Sequence, residues 1–230
     1  MKAIPIKNLT LLRELDKLSR FILKRPYTFN DVGRDFPDLT FATLEKHKAD
    51  SDFVGLPKEY NMESRNYIWE KSYVGASMDN MQKLKTWKPL IKGPYQMFRT
   101  NFIRGFRQWI PGAENRNWYY DTIGVQPAYA GFQGWSNSKN KPRHSFRFIW
   151  NSGDGFSRGV ADGRYTYIPD QKNIAGSKNW TCITNTFDEQ GETWFADRNT
   201  GRTPRVVIDV SIPTRYQARY KEALNFIQHY

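Results

Sequence analysis

The segment from Asn8 to Lys24 alternates apolar and polar positions with the spacing of an α-helix. Leucine and isoleucine recur every three or four residues, at Leu11, Leu12, Leu15, Leu18 and Ile22, and so they share one face. Asn8 can cap the start of this helix, and Pro26 stops its continuation. The pattern therefore predicts one amphipathic helix whose apolar stripe needs a partner surface.

Two shorter helical patterns follow, at 29–36 and 39–47, with Pro37 between them. One long and two short helices joined by tight turns have the proportions of a helix-turn-helix module. In this interpretation the third helix presents polar and basic side chains outward: Thr40, Thr43, Lys46 and Lys48. The alternative is a generic three-helix cap with solvated charges.

A further helical pattern spans Pro94 to Ile110. Its aromatic residues recur at helical spacing and form one stripe: Tyr95, Phe98, Phe102, Phe106 and Trp109. Such a stripe is typical of core packing, and a basic helix lying on a membrane surface is the alternative.

From Pro111 onward, Gly, Asn, Ser and Asp separate short aromatic or β-branched runs, which indicates antiparallel sheet. Strands are predicted at 146–150, around Tyr165 and Tyr167, and at 180–187, 192–196 and 205–212. In the last run Val206, Ile208 and Val210 point to one side and Val207, Asp209 and Ser211 to the other, which predicts one buried face. A closing helix follows, with Thr214 as its cap.

These elements predict an α+β fold in which an N-terminal helix-turn-helix-like module precedes an antiparallel β domain closed by a C-terminal helix. The predicted divisions are a helical module at 1–49, a linker with a basic helical segment at 50–113, and the β domain at 114–230. Asp162-Gly163 and Asp154-Gly155 are dipeptides typical of hairpin turns. Thr186 to Trp194 resembles the Asp-box hairpin of sialidases and other β-propellers, with one extra residue between the acid and the glycine, and the resemblance implies a β-hairpin.

Charge adds a possible partner. The chain has 35 Lys and Arg against 23 Asp and Glu, a net charge of +12. Met81 to Ala113 contains seven basic residues and no acid, which favours a polyanionic partner. Aromatic residues between Trp118 and Trp135 precede a further basic run, and together they favour either base stacking or a protein interface. The predicted nucleic-acid contacts are Lys46, Lys48, Lys83, Lys85, Lys88, Lys92, Arg99, Arg104, Arg107, Lys139, Lys141 and Arg143.

Catalytic chemistry has one candidate set. Asp162 and Asp170 are candidate ligands for Mg²⁺, and Asp170-Gln171-Lys172 has the acid-x-Lys spacing of many nucleases, so Asp162, Asp170 and Lys172 are the candidate catalytic residues. The alternative is that these acids are ordinary turn residues. The single cysteine, Cys182, excludes an internal disulfide and fits a small buried hydrophobe.

The sequence thus predicts a nucleic-acid-binding protein that contacts mainly the phosphate backbone, more in keeping with a binding protein than with an enzyme. Two alternatives stay open: a structural or assembly protein of a phage or virus particle, and a metal-dependent nuclease. No cofactor is expected, except Mg²⁺ for the nuclease. Expected partners are nucleic acid, and a second copy of the chain or particle proteins, but no membrane. The N-terminus lacks the apolar core of a signal peptide, so we expect a location in the cytoplasm or a virus particle, without secretion.

Overall fold

The computed structural model describes residues 1–24, 74–77, 93, 97–98, 101, 120–126, 132–136, 142–150, 155–170 and 180–229. The helices are α1 (Leu9–Leu23) and α2 (Gln217–His229), the latter preceded by a 3₁₀ turn at Thr214–Tyr216. The strands are β1 (Lys2–Ile4), β2 (Val74–Ser77), β3 (Tyr120–Gln126), β4 (Phe132–Ser136), β5 (Arg143–Trp150), β6 (Gly155–Ala161), β7 (Arg164–Pro169), β8 (Trp180–Phe187), β9 (Trp194–Asn199) and β10 (Arg205–Pro213).

Helix α1 forms where the leucine pattern predicts it. The side chain of Asn8 accepts a hydrogen bond from the backbone N–H of Leu11 at 3.0 Å, which satisfies one of the free donors of the first turn. The helix ends at Leu23, just before the predicted stop. Its apolar stripe is buried, with Leu11, Leu15 and Leu18 fully inaccessible to solvent.

Six strands form a large antiparallel sheet in the order β1-β8-β5-β10-β3-β2. One face of this sheet, which we call the helix face, packs against α1 and α2 around residues such as Phe146, Phe148, Cys182, Val206 and Ile208. Alternate positions of β5, β8 and β10 point to the opposite face, as the period of two requires.

Four strands form a second, small sheet in the order β4-β9-β6-β7. It covers the other face of the large sheet, which we call the inner face. Ile149, Ile183 and Val207 from the large sheet pack there against Ile168 from β7. The prediction for β10 is therefore corrected in one respect. The side chains of β10 alternate as predicted, but both faces of the strand are buried, because the small sheet covers the side that carries Val207.

The antiparallel sheets and the closing helix confirm the α+β class, whereas the helix-turn-helix module is not confirmed. Helix α1 belongs to the same apolar core as α2 and the large sheet, and β1 pairs with β8 as an edge strand of that sheet. Residues 25–49, which include the other two predicted helices, lie outside the described residues. The domain divisions stay a prediction.

Two turn predictions have opposite outcomes. Asp162 and Gly163 join β6 to β7 with φ angles of 50° and 67°, as expected for a two-residue hairpin turn. The Asp-box-like loop does not make a hairpin, because it leads from β8 in the large sheet to β9 in the small sheet. Asp188 organises this loop by accepting hydrogen bonds from the backbone N–H groups of Glu192, at 2.9 Å, and Thr193, at 2.8 Å.

Of the predicted aromatic helix at 94–110, the structure describes Met97, Phe98 and Asn101. Met97, Phe98 and Asn101 are helical. Phe98 is buried and meets Phe148 edge-on, with ring centroids 6.0 Å apart, so at this position the stripe does pack into the core. Neither of the two helices with described bounds is long and apolar enough to cross a membrane.

Candidate functional site

The inner face of the large sheet carries a buried ion-pair network. Arg147, on β5, donates two hydrogen bonds to Asp209 on β10, both at 2.6 Å. Its third contact, at 2.5 Å, reaches across to Asp197 on β9 of the small sheet. A guanidinium fork that holds one carboxylate with two bonds is the strongest geometry available to such a pair, so Arg147 fixes one sheet against the other.

Arg205 continues this network at the start of β10. It is fully buried, and it donates hydrogen bonds to Asp170 at 2.7 Å and to the side chain of Gln126 at 2.9 Å. It also lies 3.3 Å from Asp197. Gln126 in turn donates to Asp197 at 2.6 Å. Two guanidinium groups thus meet three carboxylates, which leaves one negative charge in excess within the network.

Arg143 supplies the balancing positive charge but forms no bond with the network. It occupies the first inner position of β5 and lies 4.8 Å above the ring of Phe187. Within the described ranges it has no hydrogen bond and no ion pair. Burial lowers the pKa of Arg143, the charge of Asp209 opposes that change, and the charge of Arg147 adds to it. Among the described residues of the inner face, three arginines are therefore matched by three aspartates, although no described protein group accepts a hydrogen bond from the Arg143 guanidinium.

A second donor without an acceptor lies beside Arg143. Asn185 is 7% exposed, and its side-chain nitrogen has no hydrogen-bond partner in the part of the chain that the structure describes. Asn185 pairs with Ser145, and Ser145 pairs with Ser211, so the three lie side by side on the inner face. Arg143 is the diagonal neighbour of Asn185, at a spacing of roughly 7 Å between Cβ atoms.

We call these four residues the Arg143 cluster: Arg143, Ser145, Asn185 and Ser211. They offer a guanidinium, an amide and two hydroxyl groups at one end of the space between the sheets. An unpaired buried donor costs about 1–3 kcal/mol, and native proteins rarely leave one without a reason. Four donors on one patch of the inner face are suited to an oxygen acceptor that carries negative charge.

The helix face of the same strands carries the single cysteine, Cys182, within the apolar core. Cys182 is completely buried, and burial raises the pKa of its thiol well above the usual value. It therefore behaves as the small hydrophobe that the sequence predicts, because the thiolate is the reactive form.

Among the described residues, no three His, Cys, Asp or Glu side chains are grouped so that they could hold a metal ion.

The two predicted catalytic acids, Asp162 and Asp170, do not come together. Asp170 is 6% exposed and bound to Arg205, whereas Asp162 lies in the turn at the other end of β7. The strand between them has 6 residues and so separates them by about 20 Å. Asp170 is thus a structural partner of Arg205, and Lys172 lies outside the described residues.

Of the twelve predicted nucleic-acid contacts, only Arg143 is described, and it lies on the inner face of the large sheet. The other predicted contacts lie outside the described residues: Lys46, Lys48, Lys83, Lys85, Lys88, Lys92, Arg99, Arg104, Arg107, Lys139 and Lys141. Arg147, which belongs to the same basic run as Arg143, is buried in ion pairs.

Sequence reasoning missed Arg205, Asp197 and Asn185. The sequence did contain a signal for the ion pair between Arg147 and Asp209. Each of these residues lies in a predicted strand whose neighbouring positions are apolar. A charged residue at such a position is rarely buried unless an opposite charge meets it. Strand order determines which acid pairs with which base, and the sequence does not show that order. Asn185 belongs to no sequence pattern that would mark it as a functional residue.

No known protein family matches the sequence, and no curated protein is similar to it. Solved structures are similar in part. They include a predicted oxalate decarboxylase from Thermotoga maritima, 15% identical, covering 46% of this chain and 75% of that one with a TM-score of 0.30. A cupin domain of an XRE-family transcriptional regulator from Enterobacter cloacae is 11% identical and covers 61% and 96%, with a TM-score of 0.27. A prolyl-4-hydroxylase from Pseudomonas putida is 13% identical and covers 89% and 98%, with a TM-score of 0.31.

The nucleic-acid-binding hypothesis is wrong, as are the helix-turn-helix, virus-particle and nuclease interpretations. The similar solved structures include cupin domains. A physical reason lies in the basic run that ends at Arg147. Arg147 points to the inner face and forms ion pairs with Asp197 and Asp209, so its positive charge is used against internal carboxylates.

Proposed function

We propose that this protein is a binding module for a small organic anion, which it holds at the Arg143 cluster between the two sheets. One observation carries the proposal. A partly buried guanidinium without an ion pair lies beside the buried amide nitrogen of Asn185, which has no acceptor. Both groups need the same thing, which is an oxygen atom that accepts hydrogen bonds.

The chemistry of these donors favours a carboxylate or a phosphate monoester. The guanidinium is planar and presents paired N–H groups that match two oxygens of one anionic group. Its stacking on the Phe187 ring, at 4.8 Å, restricts its orientation before any ligand arrives. A donor that is held in place in advance loses less conformational freedom on binding.

Burial limits the size of the ligand. Ser145 and Asn185 are 8% and 7% exposed, so only a small head group reaches both of them. Asp209 lies nearby, but Arg147 already holds its two oxygens, which reduces its repulsion of an incoming anion. The proposed function is recognition and needs no metal ion.

Isothermal titration calorimetry at low ionic strength tests the proposal with four probes: acetate, L-lactate, succinate and inorganic phosphate, with glycerol as the uncharged control. We expect binding of at least one carboxylate or of phosphate, and none of glycerol. The comparison of carboxylates with phosphate identifies the head group. In Arg143→Gln, affinity falls by about tenfold or more, which corresponds to the loss of one charge-assisted contact.

The matched control is Arg164→Gln, which removes the same charge at an exposed position on β7. This variant keeps wild-type affinity if binding is local to the Arg143 cluster. The proposal fails if none of the anions binds, or if Arg143→Gln binds them as tightly as the wild type does.

A further inference from the structure

His144 lies directly behind the Arg143 cluster. It stands between Arg143 and Ser145 on β5, and its side chain points to the helix face, where it stacks on Tyr220 of α2 with ring centroids 4.1 Å apart. The Nδ1 atom of His144 is 3.0 Å from the hydroxyl of Thr186. The ring is 6% exposed.

The two groups of residues share one patch of the sheet. His144 pairs with Thr186, and the next pair along the same two strands is Ser145 with Asn185. Because side chains alternate between faces, His144 and Thr186 lie on the helix face while Ser145 and Asn185 lie on the inner face. Only the thickness of the sheet separates the imidazole from the proposed anion.

We infer that an anion bound at the Arg143 cluster takes up a proton on His144, so that binding strengthens as the solution becomes mildly acidic. This inference rests on the proposed function. The three arginines and three aspartates that the structure describes on the inner face carry equal and opposite charge, and a bound anion adds one further negative charge. An imidazolium on the back of the same strand restores neutrality.

The surroundings of His144 fit a ring that is neutral in the free protein and can accept a charge. Burial lowers its pKa from the usual 6.5, and a hydrogen bond with Gln217 opposes that change. The Nε2 atom nevertheless lacks a partner of good geometry in the described structure. The Tyr220 ring, stacked on the imidazole, can stabilise a cation through its π electrons.

The other groups that face His144 do not titrate between mild acid and neutral pH. From β8 it meets Thr186, from β10 it pairs with Ile212, and from α2 it meets Tyr220 and Gln217. Burial raises the pKa of Tyr220, which keeps the phenol neutral. The nearest cation on its own strand is Arg143, and a bound anion reduces the repulsion between that guanidinium and an imidazolium on His144.

The direction of the pH dependence follows from the two states of His144. In the free protein its pKa lies below 6.5, and the bound anion raises it. Between the two pKa values, binding takes up a proton and affinity rises as pH falls. Below the free-protein pKa, both states are protonated and affinity becomes constant.

Calorimetry with L-lactate at about pH 5.5 and about pH 7.5 tests this, because a carboxylate stays ionised above about pH 5. If another anion of the panel is the one that binds, it replaces lactate, with its own ionisation subtracted. We expect several-fold tighter binding at the lower pH, and proton uptake seen as a dependence of the heat on the ionisation enthalpy of the buffer. In His144→Gln the pH dependence disappears, whereas the matched control His229→Gln, exposed at the end of α2, retains it.

A second measurement does not depend on a variant. Nuclear magnetic resonance of the wild-type imidazole nitrogens, as a function of pH, gives the pKa of His144 with and without the anion, and we expect the bound value to be higher. Affinity that is equal at both pH values, or a pKa that the anion leaves unchanged, overturns the inference and leaves the proposed function standing. Absence of binding at both pH values overturns both.

Discussion

The two faces of the large sheet are built from the same strands but are stabilised in different ways. On the helix face, Phe146, Phe148 and Ile208 pack among apolar side chains of α1 and α2. On the inner face, Arg147 and Asp209 form an ion pair. Each of them is the immediate chain neighbour of one of these apolar residues. The helix face tolerates changes of similar volume, because the hydrophobic effect has no preferred direction. The inner face depends on exact partners, because a buried charge without its partner is strongly destabilising.

The largest expected effect comes from removing the carboxylate that joins both arginines. Asp197→Ala leaves Arg147 and Arg205 each short of a buried partner, and we expect a loss of about 3–5 kcal/mol in the free energy of unfolding. Urea denaturation measures this loss. As the control on the helix face, Ile208→Val costs about 0.5–1.5 kcal/mol. Equal losses in the two variants would contradict the contrast between the faces.

A smaller effect is expected when a whole pair is replaced. Arg147→Met alone leaves Asp209 and Asp197 without their main partner and costs about 3 kcal/mol. When Asp209→Leu is added, we expect at least about 1 kcal/mol to be recovered, because no unpaired charge remains at that position. The side chain of Asp209 is 21% exposed, so part of its charge is already hydrated and the recovery stays moderate. A double variant that is less stable than Arg147→Met would be inconsistent with this account.

On the helix side, Asn8 provides a polar contact of intermediate strength. Its side-chain oxygen caps α1 at 3.0 Å, and its side-chain nitrogen donates to the carbonyl oxygen of Phe226 in α2, also at 3.0 Å. Asn8→Ala removes both bonds, and we expect a loss of about 1–2 kcal/mol. Asn8→Ser keeps a capping oxygen but loses the contact with α2. In thermal unfolding, its stability should therefore fall between that of the wild type and that of Asn8→Ala.

The smallest effect is expected at the loop that links the two sheets. Burial raises the pKa of Asp188, but hydrogen bonds from Thr193 and Glu192 outweigh it, so the pKa lies below the usual 3.8. The stabilisation is present above pH 3.8 and is lost as pH falls through the folded-state pKa. Asp188→Asn should lower stability by less than about 1 kcal/mol at neutral pH, because solvent screens this exposed carboxylate. The difference between wild type and variant, measured by unfolding at several pH values, should shrink in acid.

Hydrophobic periodicity predicted the elements that are held in place by burying a single apolar face. The leucines of α1 and the valines of β10 required an apolar partner, and the helix face provides it. The inner face could not be predicted in the same way, since its ion-pair network joins residues of four strands in two sheets with Asp170, which directly follows β7. Arg205 meets Asp170 and Gln126 only because β10 lies beside β3 and beneath the small sheet. The net positive charge was misleading for a related reason, because counting charges does not show whether an arginine faces solvent or an internal carboxylate.

The pairing of β1 with β8 determines the order in which the chain can fold during synthesis. Thr184 contacts the carbonyl oxygen of Lys2 across 182 positions of sequence, and Asn8 contacts Phe226 across 218. The first strand and the apolar stripe of α1 therefore leave the ribosome long before their partners exist. Contacts of such separation slow folding and leave apolar surface exposed meanwhile. We expect the growing chain to depend on chaperones that shield α1 until β8 and α2 have been made.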